Sequence, residues 1–506
     1  MPETMQAFLA EQYGSTCYET VPDSCGFIIF GASGDLTSRK LIPSLYQLHC
    51  QHMLPTCFYI LGCARSTFDD DSFRLHLADL IPDKEHWNSF AAHIHYFAGD
   101  YADQAFYPKL QERLNELARQ YGTQNQLFYL ATPPAVVLPV ITGLGNAKLL
   151  KEDAADKDWR RVIVEKPFGT SLVTAREAFS VLGRHLTERQ LYRIDHYLGK
   201  ETVQNILISR FANTLFEPIW NRQFVDHIQI TAAETIGIGS RAGYYEQAGA
   251  VRDMFQNHML QMLSLVAMEP PASFDADRYR DEKVKLLRAI RPVSLAPDED
   301  AIRGQYDAVP GQVAYRSERG VAADSQRETY AALRLFIDNW RWAGVPFYLR
   351  SGKCLAGHRT EVAVHFKQIP HSMFVPIRPE QLAANTLVFT IQPDEGIHLS
   401  LETKRPGPKM CMSCLKLRVH YHDLEEERTK TPDAYARLLL DAMGGDQTLF
   451  VRNDDVEQAW TILDPLLAAW EQHPERYPLH TYAAGTNGPA AADELLTRDQ
   501  RRWRPL

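Results

Sequence analysis

The stretch Arg193-Ile194-Asp195-His196-Tyr197-Leu198-Gly199-Lys200 sets a carboxylate, an imidazole, a phenol and an ammonium between Asp195 and Lys200. It follows an apolar run and precedes a helix-like segment, Glu201–Leu207, so it reads as a corner between a strand end and a helix start. With Gly199 making the turn, the first N–H groups of that helix point into the space these side chains share. Unpaired donors and the helix dipole favour negative charge there, and a flanking Lys and His add to it, which suits a phosphate or another dianion. The formal net charge of the chain is −9, so an anion is not drawn in globally and a local basic cluster must bind it.

A second polar group lies in Arg252–Leu263, a segment apolar nearly all round and therefore expected to be buried. Asn257, His258 and Gln261 then need partners inside a core. A neutral imidazole is a base near pH 7, and a carboxylate on its other nitrogen fixes the tautomer and stabilises the imidazolium. Asp253 and His258 are five apart, about 140° around a helix of 3.6 residues per turn. The orienting carboxylate is therefore expected from another element, and Asp195 is the candidate. Lys166, in Glu165-Lys166-Pro167-Phe168-Gly169, closes a strand at the carboxyl edge of a parallel sheet, where such sheets bind ligands. These pieces fit oxidation of an alcohol: His removes the hydroxyl proton as hydride leaves the same carbon, a lysine positions the oxygen, and a cationic pocket holds a remote phosphate.

The elements that must carry these groups differ between the two halves. The first half alternates short apolar runs with amphipathic, helix-like segments, the pattern of a Rossmann-type, doubly wound parallel α/β sheet. Strands are expected at 27–30, 58–61, 93–97, 126–131, 161–165 and 191–194. The first runs into Gly31-Ala32-Ser33-Gly34-Asp35-Leu36 and then a helix. Gly31 permits the tight turn and Gly34 the close approach of a pyrophosphate to a helix start, although Ser33 stands where a second glycine of the dinucleotide fingerprint would be. After the second strand comes Gly62-Cys63-Ala64-Arg65-Ser66-Thr67, with no acid before Asp69. A guanidinium with a hydroxyl beside it suits a ribose 2′-phosphate, which favours NADP over NAD.

Beyond about residue 200 the runs read as strands without crossover helices (226–234, 333–337, 345–350, 361–366, 386–391, 398–403, 416–421), and 268–320 reads as helix and loop. This is an α+β domain with a large, mainly antiparallel sheet flanked by helices. The expected division is an N-terminal tail over 1–24, a dinucleotide-binding domain over 25–199 and a substrate-binding and oligomerisation domain over 200–506, with a poorly ordered tail at Ala483–Ala492.

With 45% hydrophobic and 23% charged residues among 506, the composition is that of a soluble globular protein, without a membrane-spanning run. The acidic balance argues against a nucleic-acid surface. Residues 1–22 lack a basic start, so no secretory signal is expected and the location is read as cytoplasmic. The eight cysteines then read as reduced thiols; Cys411 and Cys414 have CxxC spacing but no second pair or His cluster, and no metal site is expected.

The chain resembles the glucose-6-phosphate dehydrogenase family over roughly residues 25 to 480. RIDHYLGKE (Arg193–Glu201), GASGDL (Gly31–Leu36), EKPFG (Glu165–Gly169), RDxxQNHxLQ (Arg252–Gln261) and LRSGK (Leu349–Lys353) occur in the family's order. The resemblance implies that His258 is the general base and Asp195 its partner, that His196, Tyr197, Lys200 and Lys353 hold the sugar phosphate, and that Lys166, Glu234 and Asp253 contact the sugar hydroxyls. It implies that Gly31, Ser33, Gly34, Asp35 and Arg65, with Lys166 near the nicotinamide, bind NADP, and that glucose 6-phosphate and NADP+ give 6-phosphogluconolactone and NADPH in a homodimer or homotetramer built through the antiparallel sheet. Two stretches depart from the family pattern: the loop between Glu234 and Tyr244, and the residues after Lys353, where an apparent extra position keeps Arg359 off the candidate site. Two rival readings are disfavoured, the first by the phosphate cluster and the second by the intact Asp195 and His258. A sugar dehydrogenase of the glucose–fructose oxidoreductase type shares the E-K-P strand end without the phosphate cluster, and an NADP-binding sensor would keep the fold without turnover.

Overall fold

The computed structural model describes residues 21–152, 158–374, 377–421 and 433–506. One compact unit takes its described residues from within 21–166, 178–199 and 433–451. Its strands are β1 (Cys25–Phe30), β2 (Phe58–Ala64), β3 (Ile94–Ala98), β4 (Gln126–Leu130), β5 (Arg160–Val164) and β6 (Leu191–Arg193). They lie in the order β3-β2-β1-β4-β5-β6, every pair parallel. This is the doubly wound arrangement expected, with the order reversing between β1 and β4, where such sheets open a ligand crevice. β1, β2 and β4 are buried along their whole length, which is why they read as unbroken apolar runs. The helix Phe106–Tyr121 shows the other period. It buries Phe106, Leu110, Leu114 and Leu117 on one stripe and stops where Gly122 turns left-handed at φ 67°.

The last stretch of this unit returns to cover the β6 edge. Helix Ala434–Gly444 starts at Asp433, whose carboxylate accepts from the Ala436 N–H at 2.9 Å and from the Ser44 hydroxyl at 3.0 Å. Its final carbonyls are met by Arg161, which donates to Ala442 O at 2.9 Å and Met443 O at 2.6 Å. Phe450 sets its ring edge-on to Tyr192 at 4.8 Å, and the Val451 N–H donates to Arg193 O at 3.0 Å. Gly199 belongs to this packing. It lies in the turn the sequence reading gave it, with a backbone that is not left-handed; a Cβ there would stand 2.6 Å from Ala434 O, so glycine is required for close approach.

The second unit takes its described residues from within 167–177, 200–421 and 452–506. Its nine strands are β7 (Val225–Ala233), β8 (Ala301–Asp307), β9 (Tyr330–Phe336), β10 (Pro346–Gly352), β11 (Arg359–Phe366), β12 (Thr386–Gln392), β13 (Gly396–Lys404), β14 (Met412–His420) and β15 (Leu479–Ala483). The order is β14-β13-β12-β11-β7-β10-β9-β8-β15; β7–β10 and β8–β15 are parallel and the other pairs antiparallel.

One of these strands and the tail beyond β15 correct the sequence reading. β8 lies where helix and loop were expected, because the buried polar residues Arg303 and Gln305 interrupt the apolar run of a strand covered on both faces. Arg303 donates to Tyr477 O at 2.5 Å and Gln305 to Arg327 O at 2.9 Å. The tail over 483–492, expected to be poorly ordered, follows β15 and enters helix Ala490–Thr497. Ala492, Leu495 and Leu496 are buried with Tyr306, Tyr330 and Tyr482, which anchors the tail despite its Ala/Gly composition. Cys411 and Cys414 sit at the start of the exposed strand β14. Three positions of extended backbone span roughly 10 Å, too far for a disulfide between them. Among the described residues, no helix is long and apolar enough to cross a membrane.

Candidate functional site

In the first unit the glycine turn builds a cavity. Gly31 has φ 86°, and a Cβ on it would lie 2.4 Å from Ala131 O, so both conformation and space demand glycine. Around the turn, at the carboxyl ends of β1, β2 and β4, opens a cavity of about 760 Å³ lined by Gly31, Ser33, Gly34, Arg65 and Ser66 among others. The Ser66 hydroxyl donates to Ser33 Oγ at 3.1 Å, which brings both hydroxyls and the Arg65 backbone to one corner. Asp100 also lines the cavity and accepts the Ala102 N–H on its carboxylate at 3.1 Å, whereas the acids that follow β2 are committed elsewhere. Asp69 caps the helix Asp70–Ala78, accepting from the Ser72 N–H at 2.8 Å, and Asp70 accepts from the Tyr96 N–H at 2.7 Å. The donor set thus fits a dinucleotide with an anionic ribose end. Asp35 does not line this cavity; it is exposed and 3.6 Å from Arg39.

Tyr101 is a cavity residue that the motifs do not reveal. Its hydroxyl donates to Cys63 O at 2.6 Å and accepts from the Gly31 N–H at 2.9 Å, tying the glycine turn to the end of β2. Lys166 follows β5 at its carboxyl end, next to Glu165, whose carboxyl accepts from the Tyr129 hydroxyl at 2.5 Å. Burial pushes the Glu165 carboxyl up from its ordinary range. The corner after β6 is fixed by Asp195, 1% exposed, which accepts the Tyr197 N–H on its carboxylate at 2.9 Å and the Leu198 N–H on its carbonyl at 3.0 Å. The His196 ring lies parallel to that of Tyr435, 6.3 Å between centroids, and Tyr197 is buried beside it.

In the second unit, helix Ala242–Ala250 breaks at Gly249 (φ 64°, ψ 179°), and Val251–Met259 continues as a π-helix. The wider turn, with i→i+5 bonding, changes one expectation. Asp253 and His258 were placed about 140° apart on a 3.6-residue helix; the wider π turn brings residues five apart closer together in angle. The Asp253 carboxylate accepts the Tyr244 hydroxyl at 2.9 Å, and His258 is 1% exposed. The core polar groups find partners, as burial requires. Asn257 accepts the His258 N–H at 2.7 Å and donates to Arg252 O at 3.2 Å; Gln261 donates to Asp455 at 2.8 Å.

Asp455 also pairs with Lys283 at 2.8 Å, both side chains fully buried. Asp455→Ala would strand a buried ammonium, and we expect it to destabilise the protein by about 3–5 kcal/mol, read by denaturant titration; a loss below about 1 kcal/mol would show that Lys283 is compensated otherwise.

Glu234 and Lys353, assigned by the resemblance to sugar and phosphate, form an ion pair with each other. Lys353 is 3% exposed, its ammonium 5.3 Å from the Tyr245 ring centroid. Lys200 has extended backbone and directly precedes helix Glu201–Phe211, whose start has no side-chain cap. Arg359 donates to Pro505 O at 2.7 Å.

Comparison with known proteins covers nearly the whole chain. Residues 28–205 match the model of the glucose-6-phosphate dehydrogenase NAD binding domain, and residues 207–504 that of the glucose-6-phosphate dehydrogenase C-terminal domain. The chain is 46% identical over 495 residues to the glucose-6-phosphate 1-dehydrogenase of Aggregatibacter actinomycetemcomitans, covering 95% of this chain and 97% of that one. It is 45% identical over 494 residues to that of Treponema pallidum (strain Nichols), covering 94% of each. Among solved structures, it superimposes with a TM-score of 0.88 at 34% identity on a glucose-6-phosphate dehydrogenase in complex with its substrate glucose-6-phosphate, covering 96% of this chain and 100% of that one. The glycine-turn sheet is accordingly a nicotinamide dinucleotide-binding domain, and the chain, an oxidoreductase, belongs to the glucose-6-phosphate dehydrogenase family.

Proposed function

We propose that the chain oxidises glucose 6-phosphate at C1 to 6-phosphoglucono-1,5-lactone with NADP+, the first step of the oxidative pentose phosphate pathway. The observation that carries this reading is the full-length likeness to a dehydrogenase solved with glucose-6-phosphate, together with the unaltered stretch Arg193–Glu201. His258 accepts the C1 hydroxyl proton, and the Asp195 carboxylate orients the imidazole and stabilises its charged form. His196, Tyr197, Lys200 and Lys353 hold the phosphate. Glu234 and Asp253 take the sugar hydroxyls, and Lys166 positions the substrate oxygen beside the cofactor. Bound NADP+ supplies the hydride acceptor. Gly31, Ser33, Gly34 and Arg65 hold it.

The preference for NADP+ is supported by Arg65, Ser33 and Ser66 at one corner of the cavity and by the capping duty of Asp69. Arg65→Ala removes a charged donor worth about 1.5–3 kcal/mol. KM for NADP+ should rise about ten- to a hundredfold with NAD+ kinetics nearly unchanged; an equal effect on both cofactors would remove the 2′-phosphate assignment. We further propose a cytoplasmic homodimer or homotetramer assembled through the antiparallel sheet, whose edge strand β14 exposes Leu415, Leu417 and Val419. The deciding assay follows reduction of NADP+ or NAD+ with glucose 6-phosphate or glucose. Free glucose matching the phosphate in kcat/KM would overturn the substrate assignment.

A further inference from the structure

The π-helix that carries His258 begins against one residue of a distant segment. Glu328, 2% exposed, accepts the Ala250 N–H on its carbonyl at 3.0 Å and the Val251 N–H on its carboxylate at 3.2 Å. Consecutive donors at the start of the π-helix thus end on a single side chain and its own backbone. The fit is tight: a Cβ on Gly249 would stand 2.3 Å from the Glu328 carboxylate oxygen. Such a burial is costly for a carboxylate, and the positive end of the helix dipole offsets part of that cost.

Around it, Arg327 lies 4.0 Å from the Glu328 carboxylate and 3.3 Å from Glu471, which also binds Arg252 of the π-helix at 2.9 Å. Arg252 in turn donates to Thr170 O at 2.9 Å. The next residue reaches Lys353. Thr329 O accepts the Lys353 N–H at 3.0 Å, and the Tyr482 hydroxyl, 3.1 Å from Thr329 Oγ1, donates to Lys353 O at 2.7 Å.

We propose that Glu328 is a positioning residue for the reaction: Glu328 and Thr329 form one anchor that sets the His258 helix and the Lys353 backbone at a fixed offset. This rests on the reading of His258 as general base. The physical reason is that an offset of about 1 Å at the reacting groups costs on the order of a hundredfold in rate, whereas binding contacts spread over many residues change little.

The test uses the full-length protein with Glu328→Ala, Glu328→Asp and Glu328→Gln, measured with glucose 6-phosphate and its C1-deuterated form. Glu328→Ala should lower kcat about thirty- to a hundredfold, with both KM values within about threefold and a larger deuterium isotope effect on kcat as the chemical step becomes limiting. Glu328→Gln keeps an acceptor for the Val251 N–H and should stay within about fivefold of the parent. Should Glu328→Ala fail to fold, Glu328→Asp, which withdraws the carboxylate by one methylene, takes its place with an expected kcat loss of about tenfold. Parent-like kcat and isotope effect in the folded Ala or Asp variant, or a loss of thermal stability alone, overturn the proposal. His258→Asn run in parallel separates the two ideas: an active His258→Asn variant sinks the base assignment, whereas an inactive one beside parent-like Glu328 variants sinks only the anchor.

Discussion

His258→Asn is expected to lower kcat by about a thousandfold or more while the Kd for glucose 6-phosphate stays within about threefold. General base catalysis contributes about 10²–10⁴-fold, and a thousandfold corresponds to about 4 kcal/mol of transition-state stabilisation. Asparagine keeps much of the side-chain volume and a polar edge but cannot take a proton near neutral pH. Since His258 is 1% exposed on a buried helix, the substitution must not open a cavity, which is why asparagine is preferred to alanine. Equilibrium binding of the sugar phosphate, followed by a single-turnover measurement, separates lost chemistry from lost binding. Turnover within tenfold of the parent would show that another group removes the proton.

Lys200→Ala is expected to raise KM for glucose 6-phosphate about ten- to a hundredfold and to leave the slow oxidation of free glucose almost unaltered. A hydrogen bond to a charged group is worth about 1.5–3 kcal/mol. The phosphate is remote from C1, and its binding energy both retains the sugar and aligns the reacting carbon. A moderate fall in kcat should therefore accompany the rise in KM. If glucose and its phosphate lost activity in equal proportion, Lys200 would be a structural residue of the helix start and not a phosphate ligand.

What the sequence made legible follows from physical scale. Runs such as Phe27–Phe30 and Gln126–Leu130 are buried on both faces, so composition alone marks them as interior parallel strands. Gly31 is legible because left-handed backbone and a close carbonyl both exclude a side chain. Arg65 stands out because no acid precedes Asp69 at the strand end. By contrast, β8 escaped notice because the buried Arg303 and Gln305 interrupt its apolar run, and their partners, Tyr477 and Arg327, are set by tertiary contacts. The π-helix is not legible either. The sequence suggests a 3.6-residue period over Val251–Met259, whereas the folded chain takes a wider turn there after the kink at Gly249. Tyr101 and Glu328 lie outside every motif and act through hydrogen bonds to the backbone of other elements. Residues of that kind are found only once the chain is folded.

The return of residues 433–451 to the first sheet has a consequence for the order in which the protein is made. β6 and Gly199 leave the ribosome about 230 residues before the helix that covers them. At about 5–20 residues per second, the wait is roughly ten to fifty seconds. Through that interval the β6 edge and the ring of Tyr192 are bare, and an unpaired parallel edge is a template for the wrong partner. The dinucleotide domain therefore completes its edge only when the far end of the chain arrives, and a chain released at residue 199 is expected to keep that edge uncovered.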